Sequence, residues 1–597
     1  MKRLLCTLSF FLSCYASIAQ HLLGKVVSVN IDNQELHAAL NTISRAGNFQ
    51  FSYKSNIILQ DKKVSLKAQD KTVKQLLDLI FEGNFHYSEK GKYVILHSGG
   101  EKQFVISGYI QNGKTGERLS NVTVYEDQVL ASTLTNEHGY FKLPIKNKKK
   151  LKTVSIIARK EAYTEAYVDL NAGYDQELVL PILPSSEIIL EGVVVKNEES
   201  SWASRIFLSS KQKIQNINIG SFMAKRPIQT SLLPGIGTHG LIGSQVVNKF
   251  SLNILGGYTA GVNGFEFGSL FNINKGNVRY VQLAGIFNSV NGNVTGFQMG
   301  GIYNYVSGYT DGYQVAGISN IIKGKVSGAQ VAGVSNINLD TVRGILVAGI
   351  SNTGEAEVKG VQIAGVVNKS KGVSKGVQLA GLTNWTDANT KGLHIAGFNN
   401  HSRRSMKGMQ MAGFLNYARK MKGFQLSVIN IADSMDGFGL GLVNYYKNGH
   451  HKVLAFTNEL QNLNLGYLSG ARNIYSLITA GMNIEGNNKR YSMSYGIGTE
   501  IRLAKKLALN PEISGHTFYI GHWDYVPLAA RAQLCVTYKI FKPFEIFVAP
   551  AYTITETKTT AKADGYGQWL QQPGMQYDRL GNSITGWIGW QAGIRIF

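Results

Sequence analysis

The sequence repeats a glutamine and an asparagine at constant spacing, and these amides are its most regular candidates for chemistry. Seven of the ten regular copies have the glutamine of the pattern G-h-Q-h-A-G-h-x-N, as in residues 360–368, with Glu266, Leu346 and His394 as exceptions. The asparagine recurs every sixteen residues from Asn272 to Asn416. Primary amides both donate and accept hydrogen bonds, so a ladder of them suits sugars and other polar solutes. The candidate polar ladder consists of Gln282, Gln298, Gln314, Gln330, Gln362, Gln378 and Gln410.

Residues with catalytic or metal-binding potential are sparse. His516, His522 and Asp524 could approach one another as metal ligands, although an aromatic loop at a membrane rim has the same composition. His394 stands where other copies have glutamine, so we expect it to fill the same polar position. The chain has no Walker loop, nucleophile elbow or HExxH motif. We therefore predict a non-enzymatic protein without a cofactor or metal, and an enzyme would depend on the His516 loop alone.

Two structures are compatible with the repeat pattern. In the first, each copy is one antiparallel membrane strand, which places Val361 and Ile363 toward lipid and Gln362, Ala364 and Asn368 toward a polar lumen. In the second, each copy is one coil of a β-solenoid, with asparagine stacked on asparagine and glycine at the corners. The constant repeat length favours the solenoid, because membrane barrels normally alternate short turns with longer loops.

The C-terminal region favours the barrel. From about Lys452 the chain forms longer alternating segments, and the terminal Phe597 resembles the assembly signal of bacterial outer-membrane proteins. These segments are 474–484, 491–503, 507–520, 526–540, 544–555 and 584–597. The sequence therefore predicts a mainly β protein whose large antiparallel outer-membrane β-barrel, of roughly twenty strands, contains the repeats of 251–444 and the strands of 445–597. The alternative is a β-solenoid followed by a small barrel of about eight strands.

The N-terminus and the charge place the protein in the cell envelope. Residues 1–20 combine Lys2 and Arg3 with an apolar run and small residues, as a secretory signal peptide does; Cys14 as a lipidated cysteine is the alternative. Removal of that segment would leave Cys535 without a disulfide partner. The formal net charge is +23, and an exported chain meets lipid phosphates before nucleic acid. We therefore expect outer-membrane lipid, and no nucleic acid, as a partner.

Residues 26–98 alternate strand and helix patterns, with apolar helical spacing at Leu36, Leu40 and Ile43 and a strand at 49–53. Together with FQFSYKSNIIL and TVKQLLDLIF, this order resembles the secretin and TonB short N-terminal domain. The resemblance implies a small periplasmic α/β module for docking or signalling, and a simple spacer is the alternative.

Residues 102–183 have strand patterns with frequent turns, which predict a β-sandwich. The segments KTGERL, NVTV and TNEHGYFKL resemble the carboxypeptidase regulatory-like domain, which is not catalytic. In the linker 184–250, the segment LEGVVVK resembles the TonB-contact segment of outer-membrane receptors. That resemblance implies TonB contact through Leu190, Glu191, Gly192, Val193, Val194 and Val195.

The linker is too short for the usual receptor plug, but it could hold a small lumen element. The predicted function is envelope transport or signalling linked to the TonB system, with the N-terminal domains in the periplasm and a TonB-type energiser or periplasmic regulator as partner. The alternative is a structural or adhesive repeat protein that binds glycans or envelope polymers.

Overall fold

A computed structural model describes most of the chain, which divides into two compact units: 1–264 with 273–275, and 265–272 with 276–597. The predicted signal peptide and the TonB-like segment 190–195 lie outside the described residues. Among the helices that are described, none has the length and apolar character needed to cross a membrane. The described residues are 21–53, 63–99, 103–146, 151–185, 202–483, 489–557, 563, 565–566, 576–580 and 583–596.

The first unit begins with an α/β fold. Thr72 caps the second helix of this fold. The Thr72 hydroxyl accepts a hydrogen bond from the backbone N–H of Gln75, and the Gln75 side-chain oxygen accepts one from the backbone N–H of Thr72. Leu40, Ile43 and Leu76 are buried in its core, as their helical spacing predicts. The elements are the 3₁₀ turn Leu22–Gly24, helices Leu36–Gly47 and Val73–Phe81, and strands Val26–Glu35, Gln50–Ser52, Lys63–Thr72, Phe85–Lys90 and Tyr93–Ser98.

A seven-stranded sandwich follows, with Phe104, Phe141 and Ile156 in its core. One sheet contains Thr123–Glu126, Ala131–Leu134, Thr153–Arg159 and Ala166–Asn171; the other contains Gln103–Asn112, Tyr140–Lys146 and Gln176–Ile182. Several of its strands alternate buried residues with more exposed ones, as strands with one face in a core do.

Helices and a parallel strand pair complete the first unit. Asn218 donates to the Asn121 carbonyl at 2.8 Å and to Thr123 Oγ1 at 3.0 Å, so the second helix is held by the sandwich. The lumen element suggested within 184–250 stays a prediction. The elements are helices Trp202–Phe207 and Ser210–Asn218, the 3₁₀ turn Gly240–Gln245, and strands Ala224–Leu233, Ile236–Gly237, Val246–Asn253 and Gly256–Thr259.

The sixteen-residue repeats form a parallel β-solenoid of about 12 turns, with a longer and a shorter strand in each coil. The prediction of antiparallel barrel strands is wrong for these residues, because each strand pairs in parallel with its equivalent one coil later. The longer strands are Gly261–Gly268, Val278–Ala284, Val294–Gly300, Thr310–Ala316, Val326–Ala332, Val342–Ala348, Val358–Ala364, Ser374–Ala380 and Thr390–Ala396. The shorter strands are Phe271–Asn274, Phe287–Val290, Tyr303–Val306, Ser319–Ile322, Ser335–Asn338, Ser351–Gly354, Val367–Ser370 and Thr383–Thr386. The last coils contain Asn399–Ala412, Leu415–Leu426, Ile429–Leu440 and Val443–Tyr446.

Most coils have glycine at two positions where the neighbouring coil comes very close. Gly360 has φ +136°, and a Cβ there would lie 1.9 Å from the Gly344 carbonyl oxygen. At the corner, a Cβ on Gly365 would lie 2.0 Å from the Gly349 carbonyl oxygen. The coils therefore approach so closely that the backbone of one leaves no room for a side chain on the next.

The C-terminal residues form a closed antiparallel barrel of eight strands. It closes where His450–Asn458 pairs with Ile584–Ile596, so the predicted large barrel is corrected to the small barrel of the alternative. The other principal strands are Leu463–Gly470, Tyr475–Asn483, Arg490–Gly498, Leu507–Tyr519, Leu528–Phe541 and Phe544–Glu556, and two short strands are Ile501–Arg502 and Asp578–Arg579. The alternating segments predicted from the sequence correspond to the last six principal strands.

Candidate functional site

The predicted polar ladder forms a glutamine column inside the solenoid, made of the seven glutamines named above. All seven are buried. Gln298 donates to Gln282, Gln314 to Gln298 and Gln330 to Gln314, each over 2.7 Å. The column begins at Glu266, whose carboxylate accepts from Gln282 at 2.8 Å. These amides therefore bond one another in the core and present no surface to a solute.

Two residues interrupt the glutamine column. At Leu346 the column stops, and the facing Gln330 Oε1 and Gln362 Nε2 have no hydrogen-bond partner within the described part of the chain. His394 is fully buried between Gln378 and Gln410, and this burial lowers its pKa to about 3. Its imidazole is therefore neutral at physiological pH.

A second amide column runs beside the first. Each asparagine of the repeat donates to the asparagine one coil later, as Asn288 does to Asn304 at 2.9 Å, and to a backbone carbonyl such as Met299 at 2.7 Å. The direction is opposite to that of the glutamine column, in which the later residue donates. Asn444 ends the asparagine column by donating to Ser476 Oγ of the barrel at 2.7 Å. The members are Asn272, Asn288, Asn304, Asn320, Asn336, Asn352, Asn368, Asn384, Asn400, Asn416, Asn430 and Asn444.

Ion pairs and hydrogen bonds fill the interior of the barrel. Arg531 donates to both carboxylate oxygens of Glu459, at 2.5 and 3.1 Å. Glu512 accepts from Arg595 at 2.8 Å and from the Tyr475 hydroxyl at 2.6 Å. Eight-stranded barrels have interiors that side chains can fill, and these groups meet across the space that a channel would need.

The outer wall of the barrel is apolar. Outward residues of several strands are strongly exposed: Ile513 at 63%, Val548 at 58% and Ile588 at 79%. Inward neighbours such as Glu512 and Thr553 are buried. This apolar-out and polar-in arrangement is the reverse of that in a water-soluble barrel and is typical of a barrel surrounded by lipid.

One end of the barrel is strongly basic and is called here the barrel mouth. It is a cavity of about 940 Å³, and its lining contains six lysines and arginines but two glutamates. Lys452 Nζ lies 2.6 Å from Glu545 and 3.8 Å from Glu500. The lining cations are Lys452, Arg502, Lys505, Lys506, Lys539 and Lys542. Lys452 and Arg502 have ion pairs, but the other four cations have none with a carboxylate among the described residues. The barrel mouth therefore attracts anionic groups.

Sequence reasoning did not identify the barrel mouth or the interior ion pairs. The mouth combines cations from separate turns that become neighbours only when the barrel closes. The ion pairs had a visible signal, because Arg531 and Glu512 are charged residues at alternate positions of otherwise apolar-faced strands.

The predicted histidine loop is divided by the fold. His516 is on the strand Leu507–Tyr519 and hydrogen-bonds Ser514 over 2.8 Å, whereas His522 and Asp524 follow that strand in a connection. Within the described residues, no group of three or more His, Cys, Asp or Glu side chains could hold a metal ion.

The comparisons with known proteins give no relative from which a site could be transferred. No protein-family model matches the chain, and no curated protein matches it either.

Proposed function

We propose that this protein is a non-enzymatic outer-membrane protein whose barrel is a membrane anchor and whose solenoid is a periplasmic binding scaffold. The observation that carries the proposal is the apolar outer wall around an interior filled by ion pairs. Such a barrel is suited to residence in lipid, and its filled interior argues against solute passage through it. Envelope signalling is thus a better account of this architecture than transport through the lumen.

The connections between strands at the two ends of the barrel support an orientation of the protein in the outer membrane. The connections 471–474, 499–506 and 542–543 lie at the end where the solenoid joins, whereas 459–462 and 520–527 lie at the opposite end, together with the strand ends Asn483, Arg490, Glu556 and Ile584. Outer-membrane barrels have short turns in the periplasm and longer loops outside the cell. The solenoid and the basic barrel mouth would then face the periplasm, and the cations of the mouth would lie near the lipid phosphates.

Gel mobility and protease protection test the anchor. We expect the protein extracted from outer membranes to migrate differently with and without boiling, because a closed barrel resists detergent until it is heated. Trypsin should leave a protected fragment from about His450 to Ile596. Protection that extends back to about Ser251 would instead place the repeats in the membrane, and the absence of any protected fragment would remove the anchor.

The proposed role in signalling includes contact of the segment 190–195 with a TonB-type energiser, which rests on the sequence resemblance. Site-specific crosslinking from Val194 in envelopes tests it. We expect a crosslinked adduct that disappears when residues 190–195 are replaced by a Gly-Ser segment of equal length. Crosslinking that persists in a strain without the energiser would contradict this contact and favour a different periplasmic partner.

A further inference from the structure

The solenoid has one apolar side. The exposed large hydrophobic side chains of its coils are concentrated on the outward positions of the longer strands and on the corner that follows them. The corner position contributes an apolar side chain in coil after coil, and Leu382 and Phe398 are both 52% exposed. This apolar corner column includes Ile350, Leu382, Phe398, Phe414, Val428 and Leu442.

A row of cations borders the same side. In six successive coils the second residue of the longer strand, or its equivalent, is basic and lies in register with the next. Parallel strands are about 4.8 Å apart, so these like charges are close neighbours. This basic row consists of Arg343, Lys359, Lys375, Lys391, Lys407 and Lys422.

Acidic residues neutralise only part of the basic row. Glu357 pairs with Lys359 at 3.0 Å and with Lys375 at 2.9 Å, and Lys422 pairs with Asp436 at 3.2 Å. In the described part of the chain, the other three members have no carboxylate within ion-pair distance: Arg343, Lys391 and Lys407. A row of unneutralised cations beside exposed apolar side chains fits a surface that offers both negative charge and hydrocarbon.

The apolar side is continuous with the wall of the barrel. Tyr495, an outward residue of the barrel, donates from its hydroxyl to the Gly441 carbonyl at 3.3 Å. Gly441 directly precedes Leu442, the last member of the apolar corner column, which is 49% exposed. The apolar corner column therefore starts at the outer wall of the barrel, where the lipid would be.

We infer that the solenoid lies on the phospholipid leaflet in which the barrel is anchored. The apolar corner column enters the boundary between headgroups and acyl chains, and the basic row binds anionic headgroups. The inference rests on the proposed function, because it takes the barrel to be in the membrane. It adds that the solenoid is a second, peripheral membrane-binding element.

Spin-label accessibility in proteoliposomes that contain anionic phosphatidylglycerol tests this inference on the full chain. Nitroxides would be placed singly at Phe398→Cys in the apolar corner column, Ile588→Cys on the barrel wall and Arg403→Cys at an exposed residue of the strand Asn399–Ala412 outside the apolar corner column. The native cysteines would be replaced beforehand by alanine. We expect the labels at 398 and 588 to be more accessible to oxygen than to a nickel complex, and the label at 403 to show the opposite preference.

The three labels separate the two proposals. A label at 588 in lipid with a label at 398 in water overturns the inference and leaves the anchor standing. A label at 588 in water overturns both. A label at 398 that is shielded from oxygen and nickel alike means that protein, such as a second copy of the chain, covers the column, and this also overturns the inference.

Charge variants test the basic row separately. The triple variant Arg343→Gln, Lys391→Gln and Lys407→Gln should weaken the docked state by about a hundredfold, since each surface cation contributes about fivefold. The label at 398 should then become accessible to nickel, as it should in purely zwitterionic vesicles. The matched control, Lys369→Gln, Arg404→Gln and Arg419→Gln, removes three solenoid cations outside the basic row and should leave the label in lipid. Equal effects of the two triple variants would contradict a role for the basic row.

Discussion

A glutamine within the buried column has hydrogen bonds on both sides, so its loss affects two neighbours. Gln314 donates to Gln298 and accepts from Gln330. In Gln314→Leu both neighbours would keep a buried polar atom without a partner, and we expect a loss of about 2–4 kcal/mol in local stability. Hydrogen exchange in Thr310–Ala316 and the adjoining coils measures this loss. Val331→Thr, at an exposed position, should change exchange little, and equal losses in the two variants would count against the amide column.

We expect His394 to make the stability of the solenoid depend on pH, because its imidazole is buried. Its folded-state pKa of about 3 is below the ordinary value of 6.5, so between these values the unfolded chain binds a proton that the folded chain does not. Stability should therefore fall as the pH decreases from about 6.5 toward 3, by about 1.4 kcal/mol per pH unit. His394→Gln should remove this slope and retain about 2 kcal/mol at pH 5.

The measurement for His394 is hydrogen exchange in Thr390–Ala396 at pH 7.5 and 5.0, corrected for the intrinsic exchange rate. His138→Gln changes an exposed histidine outside the solenoid and should leave the slope unaltered. An identical slope in His394→Gln and the unmodified protein would mean that other groups cause the acid sensitivity.

At the scale of the element, one coil is the unit of the solenoid. Because Gln330 and Asn336 occupy the same places as Gln314 and Asn320, removal of residues 326–341 joins two equivalent coils in register. We expect this deletion to fold, since each coil contacts only its neighbours. Removal of residues 326–333 should unfold the array locally, because it deletes the longer strand of one coil and brings the shorter strand Ser335–Asn338 to its place, out of register with both neighbouring coils.

Circular dichroism and limited proteolysis of the two deletion variants distinguish these outcomes. The sixteen-residue deletion should retain the protease resistance of the full solenoid, and the eight-residue deletion should be cut near the junction. Similar resistance in both would mean that register between coils contributes little to stability.

The faces of the strands could be predicted from the sequence, but their partners could not. Alternation correctly grouped Gln362, Ala364 and Asn368 on one side of the chain, and these three are buried together. The same alternation is required for a polar barrel lumen and for a polar solenoid core, so it could not choose between antiparallel and parallel pairing. The constant repeat length was the observation that favoured the solenoid. The charged residues within the barrel strands were visible in the sequence, but the pairing of Arg531 with Glu459 could not be predicted, because it depends on how the barrel closes.

At the scale of the molecule, the barrel also covers the end of the solenoid. The backbone N–H of Asn444 donates to Ser469 Oγ at 3.0 Å, and the Asn444 side-chain amide donates to Ser476 Oγ. A parallel array needs such a cover, since its last coil otherwise presents unpaired backbone groups to other chains. The barrel therefore has a structural role for the solenoid in addition to its proposed role as an anchor.

Truncation after Tyr446 tests the covering role. The shortened protein should self-associate, because the last coil would be left open, and sedimentation velocity should detect species larger than the monomer. Addition of a polar capping coil in which outward charges replace Val443 and Tyr445 should restore the monomer. A truncated protein that remains monomeric without the cap would contradict this role.

The opposite directions of the two amide columns have a consequence for how long such an array can become. Each added coil adds one asparagine dipole in one sense and one glutamine dipole in the other, so the two contributions largely cancel. A lengthening array therefore accumulates little electrostatic strain from its side-chain amides. Tandem duplication of a forty-eight-nucleotide unit in the gene would add one coil at a time. We therefore expect natural variants of this protein to differ in solenoid length by whole coils.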